Sequence, residues 1–249
     1  MRSAKMPVKP DFPYYAGDPV GIGGRGWLLV VFSVVAAFFL LILLPFANPP
    51  LNFIPAIVFT GLPLVTLMAV SGWRRPALFR SLNFKTIGWG LLFGLCTIGV
   101  SVGVGVLLSS IEAMAPNKAV TGLATVSGLE LVLFLARTFI QLIGEEVASI
   151  LPLLAVLWLC VTKFGLSRRS GIIVALVVST LWFSAMHLPT YDWNVVQCVG
   201  IIGTARVVLT LAYLFTRNMW VSSIAHIAND WTLFLFSYGV GHLPLGEGV

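Results

Sequence analysis

The chain has 249 residues, 58% of them hydrophobic and 10% charged, and its 15 Lys and Arg against 9 Asp and Glu give a net charge of +6. An ordinary soluble domain is roughly 45–50% apolar and about 25% charged, and a soluble fold of this size could not hide so much apolar surface in one core. The composition therefore excludes a soluble globular enzyme or binding module and requires lipid as the solvent. The basic excess is assigned to loops that face anionic lipid, and no nucleic-acid partner is expected. Cys96, Cys160 and Cys198 all lie in apolar runs without paired spacing. They read as small buried hydrophobes, not as a disulfide framework or a zinc site.

Residues 1–25 are polar, contain Pro and Gly, and are expected to form a cytoplasmic segment poorly ordered at its start. The apolar run 27–46 follows. It is longer than the core of a signal peptide and no small-residue cleavage site comes after it, so it is expected to stay as the first spanning helix. A span needs about 20 apolar residues. Further runs at 51–70, 87–111, 129–159, 171–188, 195–215 and 219–238 bring the number to seven. The third holds Gly90, Gly94, Gly99 and Gly103, small-xxx-small spacings that suit close helix contact. The fourth would be about 46 Å of straight helix against a ~30 Å hydrocarbon core. It contains Pro152, which removes a backbone donor, so a kink, a break or a steep tilt is expected there. The expected fold class is all-α: a polytopic transmembrane helical bundle of about seven spanning helices, forming one domain over 26–240 and followed by a short tail, 241–249.

Charge placement fixes the orientation. With the N-terminus inside, the inner loops carry Arg2, Lys5, Lys9, Arg25, Arg74, Arg75, Arg80, Lys85, Lys163, Arg168, Arg169 and Arg217, and the outer loops carry Lys118 alone. Cytoplasmic loops are the ones enriched in Lys and Arg, so the bias supports an odd number of spans, a cytoplasmic N-terminus and residence in the cell membrane as a multi-pass protein.

Charged groups in hydrocarbon cost about 2.5–3.5 kcal/mol each on insertion scales and persist where they pair or do work. Glu145 and Glu146 follow Gly144 in the fourth run and point about 100° apart on a helix; burial and mutual repulsion would poise at least one of them for acid–base work. Arg137, Gln141, Glu145 and Ser149 recur at four-residue spacing, one stripe on one helix face. Arg137 is two turns from Glu145, so the expected link runs through Gln141 or water. Phe183 and His187 close the fifth run. His226 and Asp230, with Asn229 between them, share a face of the seventh. Arg206 stands alone in the sixth run, its expected partner a buried carboxylate, Glu146 or Asp230. The H-E-x-x-H pattern of a soluble metalloprotease is absent. No cofactor is expected, although Glu145, His187 and His226 have the chemistry to hold a divalent metal such as zinc.

The three clusters, in this order on successive helices over about 129–235, resemble the CAAX-protease and bacteriocin-processing family of glutamate-type intramembrane proteases. That family's pattern is Glu-Glu with Arg four residues after the second Glu, then Phe-x-x-x-His, then His-x-x-x-Asn or Asp. Here it reads Glu145-Glu146, Phe183 to His187, and His226 to Asp230. The resemblance implies an intramembrane endopeptidase acting on a peptide or membrane-protein substrate, in which Glu145 and His187 activate the attacking water and His226 and Asp230 stabilise the oxyanion. Two positions depart from the pattern. Ile150 stands where the Arg belongs, with Arg206 or Arg137 expected to substitute, and Asp230 stands where Asn is also found. The alternatives are a family member without proteolysis that binds a membrane partner or gives bacteriocin immunity, and a proton-coupled transporter.

Overall fold

The computed structural model describes residues 11–118 and 120–242. Among them there is no strand, and seven long helices follow in chain order: α1 Gly24–Leu43, α2 Phe53–Val70, α3 Phe84–Ser109, α4 Gly128–Lys163, α5 Arg168–Met186, α6 Val195–Thr216 and α7 Met219–Gly241. The first six are long and apolar enough to cross a membrane. The seventh has 23 residues, a length of ~35 Å, but His226, Asn229 and Asp230 lower its hydropathy. The expected seven thus become six apolar spans and one polar-striped helix packed among them. With this many apolar helices, the chain is an integral membrane protein.

Short polar side chains at the helix starts set the boundaries. Ser127 and Glu130 form a reciprocal capping box that opens α4. Asn83, Ser167, Asn194 and Asn218 each accept a backbone N–H in the first turn of α3, α5, α6 and α7.

Helix α4 is the axis of the bundle. In its most apolar stretch 78% of residues are buried, against 11% for α3. The break expected near Pro152 does not occur: α-helix runs unbroken from Gly128 to Trp158, and a π-helical turn at 159–163 is the irregular part. Proline deprives the carbonyl four residues earlier of its donor. That carbonyl, on Ala148, accepts the indole N–H of Trp182 from α5 at 3.1 Å, which leaves no reason for the helix to open. Gly144 lets α2 approach α4, because a Cβ there would lie 2.5 Å from Thr60 Oγ1 and 2.7 Å from Phe59. The glycines of α3 divide. Gly90 and Gly94 abut Ile224, Ala225 and Ala228 of α7, while Gly99 and Gly103 face open space.

The loops gather on two faces. On the basic face, Arg168 binds Asp11 and Tyr15, Arg74 donates to Pro19 O, the N–H of Ala77 donates to Tyr14 Oη, and Asn218 bridges Arg80 and Ser81. On the opposite face, Lys118 pairs with Asp192 at 2.6 Å, and Gln197 and Asn194 bind the Ala115 and Ala113 carbonyls. The poor order expected at the start of the N-terminal segment falls outside the described residues, and from residue 11 onward the segment is packed. Phe12, Tyr14, Tyr15 and Ile22 join the central apolar cluster, and Phe12 stacks on Tyr213 of α6. These aromatics are interspersed with Asp, Pro and Gly, so averaged hydropathy conceals them. Residues 1–10 and the tail beyond 242 lie outside the described residues.

Candidate active site

The polar residues of the three motifs converge from α4, α5 and α7, with α6 closing one side. Adjacent in sequence, Glu145 and Glu146 meet different surroundings, as their 100° separation requires. Glu146 is fully buried, and both of its oxygens are held by Arg206: Nη1 to Oε1 at 2.6 Å and Nη2 to Oε2 at 3.0 Å. The same guanidinium donates from Nε to Thr210 Oγ1 at 3.1 Å and stacks over the Phe183 ring at 5.0 Å. A forked Arg–carboxylate pair of this kind is among the strong hydrogen-bonded contacts. Of the two partners expected for Arg206, the structure pairs it with Glu146. Ile150 is itself fully buried in the apolar cluster, so the cation reaches Glu146 from α6 instead of from the following turn of α4.

The imidazole of His226 is pinned by Glu146, its Nδ1–H donating to Oε1 at 2.9 Å. That fixes the ring and turns Nε2 toward Glu145 Oε2, 3.7 Å away, and Asp230 Oδ1, also 3.7 Å away. His187, at the end of α5, donates from Nδ1 to the Phe183 carbonyl at 2.9 Å and packs against the Phe183 ring, centroids 4.4 Å apart. Its Nε2 is 3.8 Å from the same Glu145 oxygen. These separations exceed a direct hydrogen bond. The Phe-x-x-x-His spacing thus has a local cause: one residue supplies both the carbonyl that orients the imidazole and the ring that supports it.

Glu145 is anchored at its other oxygen. Gln141 Nε2 donates to Oε1 at 3.1 Å, and Arg137 Nη1 donates to Gln141 Oε1 at 3.3 Å, so the stripe on α4 is a relay. Asn229 donates to Asp230 Oδ1 at 2.9 Å. Glu145, His187, His226, Asn229, Asp230 and Arg137 all line one cavity of about 510 Å³, which extends to Lys118 and Thr190 in the loops of the non-basic face. Among the described residues no three His, Cys, Asp or Glu side chains are arranged as a metal site.

Thr210, Thr60 and Trp182 were missed by sequence reasoning. Thr210 is four residues after Arg206, a spacing that places a hydroxyl beside the guanidinium and could have identified it. Thr60 and Trp182 act through helices distant in sequence, and nothing local marks them.

Residues 127–232, from the cap of α4 into α7, match the family model described as Type II CAAX prenyl endopeptidase Rce1-like. The match contains all three motifs, and over that stretch the chain is similar to that family. No curated protein and no solved structure gives a match.

Proposed function

We propose, from the Rce1-like character of residues 127–232, that the protein is an intramembrane endopeptidase that uses Glu145 as its general base. The observation that carries this reading is the separation of the two glutamates: Glu146 is sealed by Arg206, while Glu145 lines the cavity with both imidazole Nε2 atoms within 3.8 Å of one of its oxygens. A water held between Glu145 Oε2 and His187 Nε2 gives its proton to Glu145, and its oxygen attacks the scissile carbonyl carbon. The carbonyl oxygen becomes an oxyanion, toward which the Nε2–H of a doubly protonated His226 points, its Nδ1–H remaining on Glu146. On collapse the C–N bond breaks and the proton on Glu145 passes to the leaving amine, returning Glu145 to its carboxylate. General-base assistance of this kind contributes about 10²- to 10⁴-fold in rate, and a positioned oxyanion donor about 10²- to 10³-fold.

Glu146 and Arg206 are positioning residues, because they act on His226 and not on the substrate. Asp230 lies 3.7 Å from His226 Nε2 and accepts from Asn229; it orients these two donors and does not itself donate to the oxyanion. Arg206 brings to Glu146 a cation that position 150 lacks, which supports the proteolytic reading over that of a non-proteolytic partner-binding protein. No metal is assigned a step. The membrane is proposed to be the cell membrane, with the basic face cytoplasmic.

The test is proteolysis of a fluorogenic peptide library by the purified protein in lipid, with Glu145→Gln as the control. Cleavage that the substitution abolishes supports the reading, and cleavage that survives it in full would sink it.

A further inference from the structure

We infer that Tyr191 is a further catalytic residue: its phenolic O–H donates, beside His226, to the oxyanion that forms when water attacks the scissile carbonyl. The inference rests on the endopeptidase reading above and adds to it a donor from outside the three motifs. Oxyanion holes are sets of donors aimed at the place where charge develops. The reaction above assigns one, the Nε2–H of His226. Asp230 stands where the pattern also allows Asn, and an ionised carboxylate only accepts. Asn229 gives an amide hydrogen to Asp230 at 2.9 Å. The place of the second donor is open.

Tyr191 lines the same cavity as Glu145, His187, His226 and Asp230. The residue is only 9% exposed, and among the described residues its hydroxyl makes no hydrogen bond. A phenol buried to this degree ordinarily has a partner. The charges of Asp230 on α7 and Glu145 on α4 both act on it, which puts the hydroxyl on the cavity side of the ring. Burial raises the phenol above its usual value, and Asp230, Cys198 and Glu145 add to the effect. The group therefore keeps its hydrogen throughout the neutral range and is available there as a donor.

The backbone fixes this placement. The turn 188–191 follows His187 directly, and the Tyr191 N–H donates to the His187 carbonyl at 3.3 Å. Tyr191 is thus tied to the residue proposed to hold the attacking water. The next two residues, Asp192 and Trp193, have φ of 50° and 61°, left-handed positions that non-glycine residues adopt only where their surroundings impose them. Here Asp192 pairs with Lys118 at 2.6 Å, the Trp193 N–H donates to Leu188 O at 2.8 Å, and the Asn194 N–H donates to Tyr191 O at 3.0 Å. Such strain clusters at functional sites. What it fixes here is an inward Tyr191 beside a Trp193 that is 68% exposed.

The test is Tyr191→Phe, which keeps the ring and removes only the hydroxyl. The probes are a pool of apolar octapeptides in three matched forms, presented to protein in phosphatidylcholine nanodiscs. One form has an ordinary central peptide bond. In the second a phosphinate replaces that bond and mimics the tetrahedral oxyanion, and in the third an uncharged ethylene group replaces it. Expected are a kcat lower by about 10²- to 10³-fold with KM unchanged, and a loss of phosphinate affinity by a similar factor. Binding of the ordinary peptides to Glu145→Gln should be the same with and without Tyr191→Phe. Equal phosphinate affinity in wild type and Tyr191→Phe overturns the inference, and if the wild type cleaves the peptides the endopeptidase stands. Phosphinates that the folded wild type does not bind also overturn it, whether or not peptides are cut. Phosphinate binding that needs the hydroxyl, in a protein that cleaves no peptide, sinks the endopeptidase reading and upholds the donor. Fluorotyrosine at position 191 asks the same question of a protein that keeps the hydroxyl, should Tyr191→Phe fail to fold. Its fluorine resonance is expected to shift with the phosphinate and not with the ethylene form; the same response to both overturns the inference.

Discussion

Glu145 and Glu146 have the same chemistry and different fates, and the contrast makes each testable. Glu145→Gln keeps the volume and the Gln141 contact but removes the proposed base. It is expected to lower kcat by about 10²- to 10⁴-fold with unchanged thermal stability, read by cleavage and melting of the same preparation. Arg206→Met should do the reverse in kind. It leaves Glu146 buried without its cation, and breaking a buried pair from one side costs about 3–5 kcal/mol. The Arg206→Met/Glu146→Gln double variant removes both charges and should recover most of that loss in melting temperature without restoring activity, because His226 loses its carboxylate partner. Recovery of neither property would mean that the pair is not the unit of stability. The acids and histidines were legible in sequence because charge in hydrocarbon is costly and their spacings put them on helix faces. The pairing of Arg206 with Glu146 was legible only as a choice of two partners, since a contact across 60 residues leaves no local pattern.

Whole helices were located well by apolar run length, and their packing less well. The two glycine pairs of α3 at four-residue spacing, Gly90 with Gly94 and Gly99 with Gly103, are indistinguishable by that spacing, yet only Gly90 and Gly94 sit where a Cβ would meet α7, Gly90 at 2.6 Å from Ile224. Gly90→Val is expected to cost about 1–3 kcal/mol by overpacking. Gly99→Ala, in open space, should be neutral or gain up to about 1 kcal/mol of helix propensity. Comparable losses at the two positions would contradict the contact. The break, one of the three outcomes expected at Pro152, is absent for a related reason: the sequence records the missing donor but not the Trp182 indole that replaces it. Trp182→Phe should leave the Ala148 carbonyl unpaired, at a cost of about 1–3 kcal/mol in unfolding measurements.

At the scale of the molecule, the loop charges and the contacts agree although they are independent. The segments assigned inside from Lys and Arg content meet on one face, and the segments assigned outside meet on the other. The packed N-terminal segment joins the first group, and its ion pair has a pH signature. Partial burial would raise the Asp11 carboxyl, but its bonds from Arg168, Tyr15 and the Phe12 N–H prevail and hold it at about 2. A carboxylate whose folded value is depressed stabilises the fold above its unfolded value near 4 and loses that contribution as the pH falls through the folded value. Wild type should therefore melt above Asp11→Asn at pH 6, by no more than about 1 kcal/mol because both partners are partly exposed, and the gap should close between about pH 4 and 2. Orientation is the larger consequence, since the cavity reaches the non-basic face. In a background with Cys96, Cys160 and Cys198 replaced by Ala, a cysteine at Lys118 should react with a membrane-impermeant maleimide on intact cells, and one at Arg74 should react only after the cells are opened. The reverse labelling would place the cavity mouth in the cytoplasm. Substrates would then have to be presented from the cytoplasmic side, and the loop charges would have failed as a guide to topology.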